Sequence, residues 1–594
     1  MILFGSDEAP VEPQALGRLA AAEGWAARAG PSPSPALAVV LFGRYRAVAA
    51  SWIEGTGSRT LRPVVMGTRA VVSGGHPLAV QTGLRVLMEG GNVVDAAVAA
   101  SAVLAVARPH MTGLGGDLFC QIYLQREGRV VAINASGPAP KAASIDFFRQ
   151  RGAAHVPMHG PLAVETPGCV AGWATALERF GTIPLSHLLR YAVEYAEKGV
   201  PVTPHLAQAI ADGARDFRSS SDWTSTFMSE GRPPRPGELL RQPNLARSLR
   251  ALQEGGADAF YRGEIAEAIG SFMEKERGLL AREDLAGCQA EVLDPLQIDY
   301  RGHTVYEQPP VSQGHLLLQE LAIAEGFDLK GMRAQVADTV HCMVEAKKLA
   351  FADRLRYLGD PGSVEVPLRQ LLSKEYASRR RKEVDSDRAI LAAAPGALAA
   401  LGPDTTFHCL IDAEGNAVSM IQSLFKSFGS RMVAGDTGIT LNNRLAGFFL
   451  DPAHPNALAP GKRTIHTLNT YMVFRKGRPF LVGGTPGADD QVQVSFQVIS
   501  NLLDHGMNIQ EAIEMPRWSS APGTLPGETT HGYELRMEDR FPSNLAEELR
   551  RKGHDVRLAG PWSFGSVSLV AQDPESGVLY GGSDPRRDGY AVAW

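Results

Sequence analysis

Two hydroxyls and one peptide bond raise the chemical question in this chain. Asp404-Thr405 opens a strand-like run, Thr405 to Ile411, of β-branched, aromatic and apolar residues. Ala413-Glu414-Gly415 supplies a turn with glycine where positive φ is needed, and a second apolar run follows from Ala417 to Leu424. A hairpin in which Asp412 faces Asn416 sets Thr405 opposite Ser423. The plain reading of such a pair is a cross-strand hydrogen bond. The chemical reading is a threonine that becomes a nucleophile once the chain is cut before it. Its hydroxyl attacks the preceding carbonyl, water hydrolyses the ester, and Thr405 is left with a free α-amine that can serve as base for its own hydroxyl. An α-amine has an unperturbed pKa of about 7.7–8.0, so much of it is available as a base near neutral pH.

A nucleophile of this kind needs a place for the oxyanion and a scaffold to hold both. Leu481 to Gln491, LVGGTPGADDQ, reads as a strand entering a glycine turn. Its backbone N–H groups suit an oxyanion, although a simple connector has the same composition. The glycine-rich turn Gly113 to Gly116 leads into a strand, Leu118 to Leu124, rather than a helix, which discounts phosphate binding there. Pro77 opens a helix over Leu78 to Glu89, closed by Gly90-Gly91, and an apolar helix covers Val93 to Ala107. Helices are also expected over Leu185 to Glu197 and Thr339 to Arg356. Strands are expected at Ala70 to Ser73, Val130 to Asn134, Thr304 to Tyr306, and Gly438 to Asn443 before an Asn-Asn-Arg turn. Strands mixed with long apolar helices predict stacked layers of both. Residues 1–65, rich in Ala, Gly, Pro and Ser, read as a weakly ordered leader with a short helix from Gln14 to Arg28. Ser378 to Pro403 reads as an exposed linker.

Bulk properties exclude several classes. The chain has 594 residues and a net charge of −5, with no segment massing Lys and Arg, so a nucleic-acid partner is not expected. Five scattered cysteines without CxxC or His/Cys spacing imply no metal and no cofactor, and fit a reducing compartment. The N-terminus carries acid where a signal peptide needs basic charge, and Ala36 to Gly43 is too short to span a bilayer. Val93 to Ala107 contains Asp95 and reads as a buried helix. No membrane association is expected, and the expected location is cytoplasmic.

Taken in order, the motifs resemble the γ-glutamyltransferase family of N-terminal nucleophile hydrolases from about Met66 to the C-terminus. They include EGGNVVDAAVAA (Glu89 to Ala100), GLGGDLF (Gly113 to Phe119), ETPGCVAGW (Glu165 to Trp173) and PPVSQG (Pro309 to Gly314). AFADRLRYLGDP (Ala350 to Pro361), DTTFHCLIDAEGNAVS (Asp404 to Ser419), GGTPGADDQ, MPRW (Met515 to Trp518) and GGSDPRRDG (Gly581 to Gly589) continue the series. The resemblance implies an αββα sandwich and a precursor that cleaves itself between Asp404 and Thr405. It also implies a large chain (66–404) and a small chain (405–594) that stay associated as a heterodimer, or as a dimer of such heterodimers. It makes Thr405 the nucleophile, Ser423 its hydroxyl partner, and Gly487 and Ala488 the two oxyanion donors.

The positions that read substrate depart from the family's glutamyl-specific pattern. No arginine stands near Ala135 or Ser136, where the resemblance would put the grip on an α-carboxylate. Phe425 replaces an asparagine, Arg444 and Gly447 replace a glutamine and an aspartate, and His466 and Thr467 replace a serine pair. Arg444 puts positive charge where an ammonium would sit, so a small anionic amide without the amine is the expected substrate. The stretch IQSLFKSFGS…LNNRLAGFFLDP resembles the branch that includes oxamate amidohydrolase, and cephalosporin-type acylases are compatible. A rearranged glutathione hydrolase is the alternative, and an inactive scaffold is a third reading that the retained hydroxyl pair disfavours. Arg444 has a plainer role open to it as the partner of Asp436 or Asp451. The Leu450 to Arg463 loop is shorter than a transpeptidase lid, which suits water as acceptor.

Mass analysis and N-terminal sequencing of the purified protein are expected to give a small chain that begins Thr-Thr-Phe-His. A single intact chain under all conditions overturns the cleavage reading.

Overall fold

The computed structural model describes residues 56, 59–216, 221–391, 405–521, 523, 526 and 532–594. The expected helix at Gln14 to Arg28, Asp404 and residues 392–403 of the expected linker lie outside the described residues.

The hairpin has the expected register. Thr406 pairs with Gln422, and the ladder continues to Ile411 with Ala417. Its strands, Thr406–Asp412 and Ala417–Ser423, occupy the middle of an antiparallel seven-stranded sheet. The full order is Tyr590–Ala593, Ala70–Gly74, Thr406–Asp412, Ala417–Ser423, Asp117–Leu124, Arg129–Ala135 and Glu291–Leu293. Alternate residues of the hairpin face opposite cores. Leu410, Val418 and Met420 meet the helix layer, whereas Phe407, Cys409, Ile411 and Ile421 meet Met472, Val482 and Val570 of a second sheet. Burial on both faces explains why these strands read as continuous apolar runs.

The second sheet is also seven-stranded and antiparallel, in the order Val65–Gly67, Leu579–Ser583, Ser568–Gln572, Arg478–Gly484, Tyr471–Arg475, His303–Glu307 and Leu296–Tyr300. Helices cover the outer face of each sheet, which makes the molecule a four-layer αββα sandwich. On the first sheet lies Val93–Ala107, buried at every position and started by a capping box between Asn92 and Asp95. On the second lie Gly314–Ala324 and Asp490–Leu503. Among the described residues, no helix is long and apolar enough to cross a membrane.

Several expectations change. The leader ends earlier than residue 65: the Leu61 and Arg62 amides donate to the Glu514 carboxylate at 2.6 and 3.0 Å, and Val65–Gly67 is already an edge strand. The helix expected over Leu185 to Glu197 breaks into Leu185–Leu188 and Arg190–Lys198. Ser378 to Arg381 is the end of a helix, Lys374–Arg381, rather than linker. Gly438 to Asn443 makes isolated bridges, Val433 with Thr440 and Gly115 with Leu441, because Gly438 turns left-handed (φ 68°) at its start.

The glycines before Asp117 act through close packing. A Cβ on Gly116 would lie 2.4 Å from the Ser423 carbonyl oxygen, and one on Gly115 would lie 2.2 Å from that of Thr440. Both obstacles are backbone, so neither can rotate away. Gly116→Ala is expected to cost about 1–3 kcal/mol and to lower the thermal midpoint. An unchanged midpoint would show that the Ser423 strand yields freely.

Candidate active site

Thr405 stands one residue before the first ladder pair, and the register carries it to Ser423. Their hydroxyl oxygens are 3.1 Å apart, and both side chains are buried. Ser423 Oγ also accepts from the Phe425 amide at 2.8 Å. The neighbouring strand sets Asp117 directly beside Ser423. The hydroxyl pair is therefore embedded in the centre of a sheet whose hydrogen bonds fix it from both sides.

Arg478–Gly484 delivers the glycine turn to the same end of the molecule. Gly484 has no room for a side chain, because a Cβ there would lie 2.5 Å from the Phe407 ring, two residues after Thr405. The chain then turns through Gly487 (φ 137°) and Ala488 (φ 47°), conformations that L side chains rarely adopt. The Gly487 carbonyl accepts from the Asp490 amide at 2.9 Å, and the Ala488 carbonyl accepts from Gln491 at 3.0 Å. Among the described residues, the Gly487 and Ala488 amides donate to no protein acceptor. The turn opens a helix, Asp490–Leu503, whose N-terminal dipole adds positive potential at those amides.

The positions expected to read substrate gather around Arg444. This residue sits in a short 3₁₀ turn and is 1% exposed. Its Nε donates to Asp117 Oδ2 at 3.2 Å, and the Phe425 ring lies 4.3 Å from its guanidinium carbon. Neither Asp436 nor Asp451 is its partner: Asp436 faces Arg247, and Asp451 accepts from the Ala453 amide. Phe425 reaches its position through a left-handed backbone (φ 83°), a strain of about 1–3 kcal/mol that the Ser423 hydrogen bond helps to hold. His466 packs its ring 5.0 Å from Phe119, while Thr467 contributes its carbonyl to the site's framework.

Much of this cluster is buried with few protein partners. Among the described residues, Arg444 Nη2, Asp117 Oδ1, both Glu165 carboxylate oxygens and both His466 ring nitrogens find no hydrogen-bond partner of good geometry, although the Thr464 and Gly137 backbones draw the Glu165 and Asp117 carboxyls down a little. Burial pushes the Asp117 carboxyl up to about 6, against the opposing pull of Arg444. Burial, reinforced by Asp117, holds the Glu165 carboxyl well above the usual carboxylate range. Burial, then Arg444 and Arg463, hold His466 well below its usual value, so it is a neutral imidazole. Burying unpaired polar groups costs free energy, so a set of them around one cation marks a place where a polar molecule completes the bonding.

Four residues of the site were not singled out from the sequence. Asp117 and Glu165 stand inside motifs, and an acid opening an apolar strand was the available signal for the first. Gln313 donates to the carbonyls of Ala488 and Thr467, both at 2.9 Å. Arg463 reaches the Ser136 carbonyl at 3.0 Å, so an arginine does arrive where the sequence has none nearby. It is held there by Glu291 at 3.1 Å and the Gln289 carbonyl at 3.0 Å. His341, Glu345 and His554 have metal-ligating types in one buried group. Each atom already has a partner, however. The two rings meet at 2.8 Å, and Lys348 neutralises Glu345 at 2.7 Å.

The chain is similar to known proteins in both sequence and fold. A sequence profile described as Gamma-glutamyltranspeptidase matches residues 79–594. The chain is 39% identical to the glutathione hydrolase-like YwrD proenzyme of Bacillus subtilis over 531 residues, covering 89% of this chain and 99% of that one. It is 37% identical to the oxamate amidohydrolase proenzyme of Klebsiella pneumoniae over 538 residues, covering 89% and 99% respectively. The crystal structure of cephalosporin acylase from Bacillus halodurans superposes with a TM-score of 0.83 at 36% identity, covering 91% of this chain and 98% of that one.

The Asp117–Arg444 pair yields a pH test. The folded value near 6 lies above the ordinary 3.8, so the stability Asp117 contributes is present at low pH and is lost as pH rises through about 6. Asp117→Asn keeps an acceptor for Arg444 Nε without the buried negative charge. The variant is expected to match the parent near pH 4 and to exceed its stability at pH 8 by on the order of 1–3 kcal/mol. Unfolding midpoints across pH check this. A variant less stable than the parent at pH 8 would mean that Arg444 requires the ionised partner.

Proposed function

The chain belongs to the gamma-glutamyltranspeptidase family, and from that premise we propose that Thr405 is the nucleophile of an autoprocessed amidohydrolase acting on a small anionic amide. The observation that carries the reading is the buried Thr405–Ser423 hydroxyl pair at 3.1 Å, at the head of a hairpin whose register is fixed by both neighbouring strands. In the precursor, Thr405 Oγ attacks the carbonyl before it, the amide nitrogen leaves as the α-amine, and water hydrolyses the ester. In turnover, that amine takes the Thr405 hydroxyl proton as Oγ adds to the substrate carbonyl. The oxyanion accepts from the Gly487 and Ala488 amides, the leaving amine takes the proton, and water releases the acyl group. Ser423 steadies Thr405 Oγ while its charge changes.

The two chains stay together in this reading because their strands interleave. The hairpin of the small chain lies between Ala70–Gly74 and Asp117–Leu124 of the large one. Cutting one peptide bond leaves those ladders intact.

Arg444 supports an anionic acyl group, since its buried Nη2 has no partner among the described residues. Asp117 and Glu165 favour a second reading, because two acids beside one cation also suit a head group that carries both an ammonium and a carboxylate. That would be a γ-glutamyl compound such as glutathione.

A panel of oxamate, succinyl, glutaryl and γ-glutamyl amides, assayed on cleaved protein with Thr405→Ala as the inert control, tests the proposal. Hydrolysis of an amine-free anionic amide supports the first reading, and preference for the γ-glutamyl compound supports the second. Arg444→Gln is expected to lower kcat/KM on the anionic amide by about 1.5–3 kcal/mol and to spare its neutral ester. An equal loss on both substrates makes Arg444 structural.

A further inference from the structure

Gln313 links three parts of the site that are far apart in sequence. Its side-chain nitrogen donates to the carbonyls of both Ala488 and Thr467, each at 2.9 Å. Its backbone amide donates to the His466 carbonyl at 2.9 Å. Its side-chain oxygen is gripped by Arg354 Nη1, which also holds the Asp489 carboxylate. All these groups are buried. Gln313 is the next-to-last residue of the PPVSQG segment and stands before the helix Gly314–Ala324, while Arg354 lies near the end of the helix Ala337–Tyr357.

The turn needs such support. Ala488 sits at φ 47° without being glycine, and Gly487 at φ 137°. A backbone in sparsely populated conformations persists only when its surroundings over-determine it. The Gln491 amide supplies one bond to the Ala488 carbonyl, and Gln313 supplies the second. With that carbonyl held, Asp489 anchored by Arg354 and the Gly487 carbonyl held by the Asp490 amide, the peptide planes of the turn are fixed. The Gly487 and Ala488 N–H groups then stay where an oxyanion would accept from them.

We propose that Gln313, oriented by Arg354, is a positioning residue that locks the Gly487–Ala488 turn and sets it in register with the His466–Thr467 segment. Through this one amide the oxyanion site and the substrate-reading segment hold a common geometry. The proposal rests on the reading of the turn as an oxyanion site, but its physical core, the immobilised turn, can be measured without turnover.

Gln313→Glu is nearly isosteric. It keeps an acceptor for Arg354 but presents an oxygen to the two carbonyls that the native amide serves. Hydrogen exchange on matured protein should show the Asp490 and Gln491 amides, which close the turn, losing protection at least about tenfold in this variant. With the best amide from the panel, kcat should fall about 10–100-fold while KM changes less than about threefold. Affinity for inorganic borate, which forms a tetrahedral adduct on a hydroxyl, should fall in step with kcat. Gln313→Met, which removes the donors without adding charge, should show the same pattern more weakly and guards against a variant that fails to mature. Unchanged exchange across the turn in both variants overturns the proposal. Faster exchange in a protein that hydrolyses no amide would leave the positioning role standing and sink the catalytic reading instead.

Discussion

The register of one antiparallel hairpin governs this molecule. Side chains alternate across a strand, so a slip of one residue between Thr406–Asp412 and Ala417–Ser423 would exchange every core-facing group and part Thr405 from Ser423. Three constraints prevent it. Gly415, at φ 85°, closes the turn; Asp412 and Asn416 bond across it; and the cores on the two faces of the sheet each accept only one phase of apolar residues. A hydroxyl with the proposed task of attacking its own backbone must be held at one angle, and the centre of a doubly covered sheet offers less freedom than any loop.

Around that fixed point the molecule keeps its charges under strain. Arg444, Asp117, Glu165 and His466 are buried together, and several of their polar atoms find no partner among the described residues. A buried ion pair seldom repays the cost of removing both charges from water, and the raised Asp117 value reflects that. The pair makes better sense as a device for recognition than as a source of stability. Asp117 orients the guanidinium through Nε, Phe425 covers its face, and Nη2 remains for a ligand. In the proposed function, the free energy withheld from folding is recovered when a polar substrate completes the bonding.

The glycine turn shows the same division of labour. Its left-handed backbone is unfavourable locally, and distant groups hold it: Gln313 from one helix start, Arg354 from the end of another, and the packed Phe407 ring beneath Gly484. The hairpin supplies the proposed nucleophile, and the second sheet supplies the turn. Ser419 ties the two together where its hydroxyl donates to the Gly483 carbonyl at 3.1 Å.

The sequence by itself determined what depends on neighbours along the chain. The hairpin register followed from a three-residue turn and two apolar runs, and the helices at Pro77 and Val93 followed from their caps and composition. Thr405 could therefore be set opposite Ser423 from spacing alone. Where local pattern misled, longer-range forces had taken over: Gly438 to Asn443 looks like a strand but is pinned by close backbone contacts at Gly115, and the leader's end is anchored by Glu514. Only the tertiary structure could decide the partner of Arg444. Electrostatic pairing follows distance in space, and the nearest carboxylate, on Asp117, is 327 positions away in sequence. The same holds for Arg463 at Ser136 and Gln313 at Ala488: no periodicity encodes a contact that exists only after two sheets have closed on each other.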